Sequence, residues 1–417
     1  MAAFGFCGDW CLLTCDKKIV AVHSKQSRDP YVFDCSTVEK KPKNKKNENR
    51  SNDDGESEDT GSDKVLAFAV SPSGKLVALT DDTKRLILLR CGDASWQCIS
   101  IRFVVRRCTA LVFSQAEDEL LVADKSGDVY SFSVVEPQRE GELKMGHLSM
   151  LLAITMSPDD KYIVTADRDE KIRVSHFRCP YNIQSFCLGH QEFVSALLIP
   201  SAHSHYLLSG SGDGTVKLWD FESGRRLQSC DLKQLVEELS SEADKEKKPT
   251  VSHITSSPDQ YHVAVLCERL PTVQIFTLNL ESKEKLVPHT RLTLPHCPLD
   301  MTFDLEGRLW VLMDSSDTML QMYSQRHGSW ECDAESQDLM TVTEAFQPHW
   351  ETLEANTRTN SRFEHLVKRS YDNVEAYLHK KQQRLDEQQL KRTKTRKVND
   401  DKKARKEMSR DVTQSST

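Results

Sequence analysis

Four related tetrapeptides recur along the chain: SPSG at Ser71, SQAE at Ser114, SPDD at Ser157 and SPDQ at Ser257. With degenerate equivalents at Ser201 and Asp304, the steps between them are 43, 43, 44, 56 and 47 residues. The long step contains a polar insertion, LVEELSSEADKEKK at 235–248, so the underlying period is 43 to 44. A period near 40 to 45 residues with four short strands per unit is the signature of a propeller blade. Helical repeats of that length would carry a 3.6-residue apolar period. The runs found instead, among them VLAFAV, LVALT, RLILLR, LLVAD, YIVTA, TVKLWD and VQIFTL, are short and β-rich, and read as strands. Counting the N-terminal strands as well, the sequence predicts an all-β, seven-bladed propeller over residues 1–330.

Composition restricts what such a ring can be used for. The 417 residues carry 56 Lys+Arg and 63 Asp+Glu, a formal net charge of -7, so any nucleic-acid surface must be local. No apolar run reaches the roughly 18 to 20 residues that cross a bilayer, and the start, MAAFGFCGDWCLLTC, lacks a signal peptide's basic and apolar regions. The expectation is a soluble intracellular protein without a membrane partner. Thirteen cysteines are scattered without a CxxC pair, which reads as reduced thiols rather than disulfides or zinc ligands. Residues 39–64 pass from a Lys block to an acidic block with almost nothing apolar and are expected to be a disordered charged loop.

The most regular unit is 189–220, with Gly189-His190 at its start, an SGSGDG turn, and Trp219-Asp220 at its end. It resembles the WD-repeat family, in which the His, the turn Asp and the Trp share a buried hydrogen-bonded network; the matching residues here are His190, Asp213 and Trp219. A buried imidazole and indole N–H each require a partner, and a turn Asp supplies acceptors. The unit at 146–177 keeps Gly146-His147 and, in this reading, Asp169, but has Ser175-His176 in place of the Trp-Asp pair. The GxGxG string at Gly210–Gly214 leads into the strand TVKLWD, whereas a nucleotide or methyl-donor loop must open a helix. No catalytic, cofactor-binding or metal-binding residues are expected.

The turns between second and third strands share one face of a propeller. Superposed on Gly212, Asp213 and Gly214, that face offers Asp82, Thr83 and Lys84, then Lys125, Ser126 and Gly127, then Arg168, Asp169 and Glu170, thickened by Asp81, Arg85, Asp167, Lys171 and Arg173. Mixed-sign charge mounted on three adjacent turns suits a docking surface, because preorganised charge fixes register and partner choice.

Beyond a connector at 331–360, apolar residues Phe363, Leu366, Val367, Tyr371, Val374, Tyr377, Leu378 and Leu385 recur at three- and four-residue steps. They predict an amphipathic helix over 361–392, followed by a basic disordered tail at 393–417. Residues 361–410 hold 16 Lys+Arg and 8 Asp+Glu, so this segment is +8 and the remainder -15. KRTKTRK at 391–397 and KKARK at 402–406 are open to three readings: solvated tail, nuclear import signal or phosphate-contacting arm. KKPKNKK at 40–46 is a second import candidate.

LTDDTKRLILLR (79–90), RRCTALVFS (106–114), LVADKSGDVYSFSV (121–134), GHLSMLLAITMSPDDKYIVTADRDEKIRVS (146–175) and SYDNVEAYLHKKQQRL (370–385) resemble the WD-repeat, non-catalytic subunit family of the eukaryotic tRNA (guanine-N7-)-methyltransferase. The resemblance implies a non-enzymatic scaffold. It would bind, as a heterodimer, a separate Rossmann-fold subunit that holds S-adenosylmethionine and methylates a guanine in the tRNA variable loop. Partner-binding residues implied by the motif ADRDEKIRVS are Arg168, Asp169, Glu170 and Arg173, with Lys125 next. Residues implied to assist tRNA binding are Lys380, Lys381, Arg384, Lys391, Arg392, Lys394, Arg396 and Lys397, and the compartment implied is the nucleus, with the cytoplasm open. Rival readings are a ubiquitin-ligase adaptor and a ribosome-assembly or chromatin scaffold. Against the first, Trp219-Asp220 is followed by Phe221 and Glu222 rather than by an Arg two residues on.

Overall fold

The computed structural model describes residues 2–38, 61–92, 95–233, 249–357, 361–367, 377, 378 and 380–384. The chain divides into two compact units, Met1–Val367 and Lys368–Thr417. In the first, seven four-stranded sheets follow one another, each with its strands in chain order. The first strands, Ala3–Cys7, Val65–Val70, Cys108–Phe113, Leu151–Met156, Val194–Leu198, Val251–Ser256 and Pro298–Phe303, pack one against the next and the last against the first, forming the inner wall of the ring. Second strands such as Trp10–Cys15, Leu76–Asp81, Tyr162–Asp167 and His262–Cys267 are buried along their whole length. That is why they read as continuous apolar runs rather than as alternating patterns. Among the described residues, none of the thirteen cysteines forms a disulfide.

The recurring tetrapeptide has a structural role. Its fourth residue is left-handed in each repeat, at φ +64° for Gly74, +56° for Glu117, +54° for Asp160 and +60° for Gln260. From there the side chain reaches back to the preceding blade. Glu117 accepts hydrogen bonds from Ser73 N and Oγ, Asp160 from Gln115 N and Ala116 N, and Gln260 from Ser201 N. The first of these positions has no side chain to reach with, because a Cβ on Gly74 would lie 2.7 Å from Gly8 N.

Because all seven sheets are built from consecutive strands, none is shared between the two ends of the ring. Blade seven meets blade one through side chains instead. Phe4, Val20, Trp310 and Leu312 form one buried cluster with Leu339, Val342 and Phe346 of helix α1 (Gln337–Phe346) and Trp350 and Leu353 of helix α2 (Trp350–Thr357). Phe4 N donates to Asp300 Oδ2 at 2.8 Å, and Arg308 joins Asp304 to Asp338 at the start of α1. The stretch expected to be a connector, 331–360, thus holds two helices that close the ring.

The helix expected from 361 does not begin there. Ser361–Val367 is a short segment with a single 3-10 turn at Glu364–Leu366, and Phe363 and Leu366 are buried against Phe193, Met150 and Leu152. In the second unit, residues 377, 378 and 380–384 are helical and exposed. The insertion at 235–248, residues 39–60 of the charged loop and the tail at 393–417 lie outside the described residues. The loop's last residues are held in place, however: Asp63 is 7% exposed and pairs with Arg85 at 2.7 Å.

Phe346 is fully buried at the closing seam. Phe346→Ala should cost about 3 to 5 kcal/mol, read as a lowered denaturation midpoint with the β-rich circular dichroism spectrum retained below it.

Candidate functional site

The turns between second and third strands are set by hydrogen bonds beneath them. In blade five, His190 Nδ1 lies 3.0 Å from Asp213 Oδ2 and His190 Nε2 lies 2.7 Å from Ser209 Oγ, while Trp219 Nε1 donates to the same Ser209 oxygen at 2.8 Å. An indole N–H only donates. The Asp213 carboxylate only accepts, so the neutral imidazole carries its proton on Nδ1, and Nε2 accepts from Ser209, whose oxygen accepts from Trp219. Burial lowers the His190 pKa despite the Asp213 hydrogen bond. Burial opposes ionisation of Asp213 too, yet hydrogen bonds from His190, Thr215 and Gln191 N hold its carboxyl well below the usual range. Sequence reasoning does not find Ser209, because a serine in a strand carries no distinguishing signal.

Blade four uses a different acid. Its turn aligns with that of blade five, pairing Ala166 with Ile172 as Gly210 pairs with Val216. His147 nevertheless bonds Asp167 at 3.0 Å and Thr165 at 2.7 Å. Asp167 Oδ1 accepts from Asp169 N and Lys171 N, so one carboxylate both caps the turn and holds the imidazole. The expectation that Asp169 is this blade's network acid is corrected: Asp167 fills that place, and Asp169 is exposed.

Blades two and three cap the same position. Asp81 takes Thr83 N, Arg85 N and the Arg85 Nε. Asp124 takes Ser126 N and Asp128 N through Oδ1. The other Asp124 oxygen is buried without a hydrogen-bond partner among the described residues, and burial raises that carboxyl's pKa. Arg85, expected to contribute surface charge, is instead 0% exposed and paired with Asp81 and Asp63.

Above these caps Lys84, Lys125, Arg168, Asp169 and Lys171 are exposed and Glu170 is half-buried. Lys84 and Glu170 have φ of +67° and +71°, where the equivalent turns carry Gly127 at +97° and Gly214 at +80°. A left-handed backbone costs an L-residue about 1 to 2 kcal/mol. Arg173 is held differently from the others. Its Nε donates to Ser175 Oγ at 2.9 Å and its terminal nitrogens to Gly146 O at 3.1 Å and Pro180 O at 3.0 Å, so it joins the last strand of blade three to blade four. Asp82 is likewise engaged, accepting from Ser62 and Lys64.

A family model described as the tRNA methyltransferase TRM82 WD40 domain matches residues 14–145 and 135–343. The tRNA (guanine-N(7)-)-methyltransferase non-catalytic subunit wdr4 of Danio rerio is 56% identical over 385 residues, 92% of this chain and 92% of that one. This chain belongs to that family of non-catalytic subunits. The corresponding proteins of Mus musculus and Homo sapiens are 45% and 42% identical, covering 91% and 90% of this chain and 91% and 89% of theirs. Among solved structures, the RRP9 WD40 repeats superpose with a TM-score of 0.59 at 20% identity, covering 75% of this chain and 86% of that one. That likeness reports the propeller alone.

As a WD-repeat subunit, the chain uses the Gly210–Gly214 string as the end of one strand, Tyr206–Ser211, and the turn into the next, Thr215–Asp220. Of the basic residues expected beyond the propeller, Lys380, Lys381 and Arg384 are helical and exposed, whereas Lys391, Arg392, Lys394, Arg396 and Lys397 lie outside the described residues.

Ser209→Ala should destabilise the propeller by about 1 to 3 kcal/mol, because it leaves the Trp219 N–H and the His190 Nε2 buried without partners. A pH effect adds to this. Buried neutral His190 contributes stability that is present above the unfolded imidazole pKa of about 6.5 and falls as pH drops below it. Asp213 and Asp167, both depressed in the fold, contribute stability above about pH 3.9 that is lost on further acidification. Chemical denaturation across pH 3 to 8 should show unfolding free energy falling with pH through both windows, with the upper loss reduced in His190→Gln.

Proposed function

We propose that this subunit holds a Rossmann-fold methyltransferase, as a heterodimer, on the turns of blades two to four, and that its basic C-terminal segment adds phosphate contacts to the tRNA. The observation that carries the docking face is the pair Lys84 and Glu170. Charged side chains occupy left-handed positions that glycine fills in neighbouring blades, and strain of that kind is retained where the side chain has a role, which is contact between blades at Glu117 and Asp160 and, in this proposal, docking at Lys84 and Glu170. Arg168, Asp169 and Lys125 are exposed beside them, on turns anchored from below by buried Asp167 and Asp124. In this reading Arg173 supports the blade rather than touching the partner, since all three of its nitrogens already donate within blades three and four.

S-adenosylmethionine belongs to the partner in this proposal, and the reaction is N7-methylation of a guanine in the tRNA variable loop. The relatives' names, as non-catalytic subunits of a tRNA (guanine-N(7)-)-methyltransferase, support a division of labour of this kind. The basic segment supports RNA contact by charge, at +8 against -15 for the rest. Lys380 and Arg384 stand four residues apart on an exposed helical stretch, so both reach one side. The same Lys/Arg clusters support a nuclear location.

Glu170→Gly separates stability from docking. The thermal midpoint should stay the same or rise, by up to about 1 kcal/mol of stability, because glycine relieves the left-handed strain. Affinity for the catalytic subunit should fall at least about tenfold, roughly 1.4 kcal/mol. Calorimetric titration beside a melting curve checks both; unchanged affinity contradicts the docking face.

Removing 391–417 should weaken tRNA binding by the assembled complex while leaving the two proteins associated. The dependence of log affinity on log salt should flatten by about 0.7 to 0.9 for each phosphate that the truncated chain no longer neutralises. Filter binding over a salt series, run beside a pull-down of the catalytic subunit, measures this.

A further inference from the structure

The chain leaves the first unit at Val367, and the seven residues before that point are fastened by contacts that closing the ring does not require. Glu268, in the turn after the second strand of blade six, accepts from Ser361 Oγ at 2.5 Å and from Arg362 N at 2.6 Å. Ser361 Oγ in turn accepts from Phe363 N and Glu364 N, which starts the 3-10 turn. Phe363 stacks on Phe193, ahead of the first strand of blade five, with ring centroids 5.7 Å apart and an interplanar angle of 18°. Leu366 packs with it on Met150 and Leu152, where the first strand of blade four begins. The Arg362 guanidinium lies 5.1 Å over the Phe363 ring, within the fields of Asp300 and Glu268.

These anchors lie at the same end of the strands as the turns between second and third strands: Gly212 N donates to Phe193 O in blade five, and Arg168 N, of a docking turn, to Met150 O in blade four. The segment therefore spans inner-strand ends of blades four, five and six on the charged turn face, held by one carboxylate and two apolar side chains.

We infer that Ser361–Val367 is a clasp, and that Glu268 is a positioning residue that fixes where the basic segment departs from the propeller. This rests on the proposal that the segment contacts tRNA, and deepens it. From Val367 to Lys380 is 13 residues; with the clasp released, the tether runs 23 residues from Thr357. The effective concentration of a tethered group falls as about the -3/2 power of tether length, so lengthening alone weakens its contribution about twofold.

The test uses the assembled complex with the full chain carrying Glu268→Ala, and separately Phe363→Ala, which releases the same clasp from its apolar side. Amide hydrogen exchange over 361–367 should quicken in both variants. Binding of tRNA should weaken about two- to fivefold with an unchanged salt slope, since the phosphate contacts themselves remain, and capture of the catalytic subunit should not change. Exchange as slow as in the unaltered chain, or fast exchange with unaltered tRNA affinity, overturns the clasp. The tail deletion judges the underlying reading separately. A Glu268→Ala effect beside a deletion without effect rejects 391–417 as the contact and keeps the clasp, and the converse rejects the clasp alone.

Discussion

Closure of the ring at one seam is the constraint on which the rest of this molecule depends. Seven sheets of consecutive strands leave blade seven and blade one joined by no shared sheet, so the seam relies on non-directional apolar burial and a few polar contacts. Phe4, Trp310, Phe346 and Trp350 supply the burial, and the Phe4 N to Asp300 bond supplies register. The exposed Lys25 link to Asp9 and Glu306 adds little, as half-exposed ion pairs do. Helices α1 and α2 are consequently part of the propeller's stability rather than an appendage to it, and every turn position on the proposed docking face is inherited from the closed ring.

On that frame, one chemical device is used in three ways. An Asp at the end of the second strand caps the following turn through one oxygen in blades two, three and four. Its second oxygen meets Arg85 in blade two and His147 in blade four, and in blade three meets no hydrogen-bond partner among the described residues. The caps are buried and satisfy backbone N–H groups, which leaves the turn tips free to carry charge without carrying the fold. Blade five, whose turn is Gly212, Asp213 and Gly214, uses its acid for the histidine network and presents little else.

Much of this is legible in the sequence, for identifiable reasons. The tetrapeptide period is visible because its fourth position must be left-handed and, in three blades, must also reach the preceding one. His190, Asp213 and Trp219 are visible as residues that need partners when buried. Asp169 misleads because its spacing copies blade five, whereas Asp167, at the end of the second strand, completes the same bond. The segment at 361–367 reads as helix because Phe363 and Leu366 sit three apart, a spacing that a 3-10 turn satisfies equally. Leu339, Val342, Phe346, Trp350 and Leu353 carry a genuine helical period, yet the seam they fill exists only once the ring is closed.

The central claim is that the turn face of blades two to four is where the catalytic subunit sits. Amide hydrogen exchange compared between the free chain and the assembled complex tests it most directly. The account predicts slowed exchange at 82–84, 125–127 and 168–171, with no change at the opposite turns around Gly74, Glu117 and Asp160. Slowed exchange at those opposite turns, with the charged turns unaffected, would contradict it.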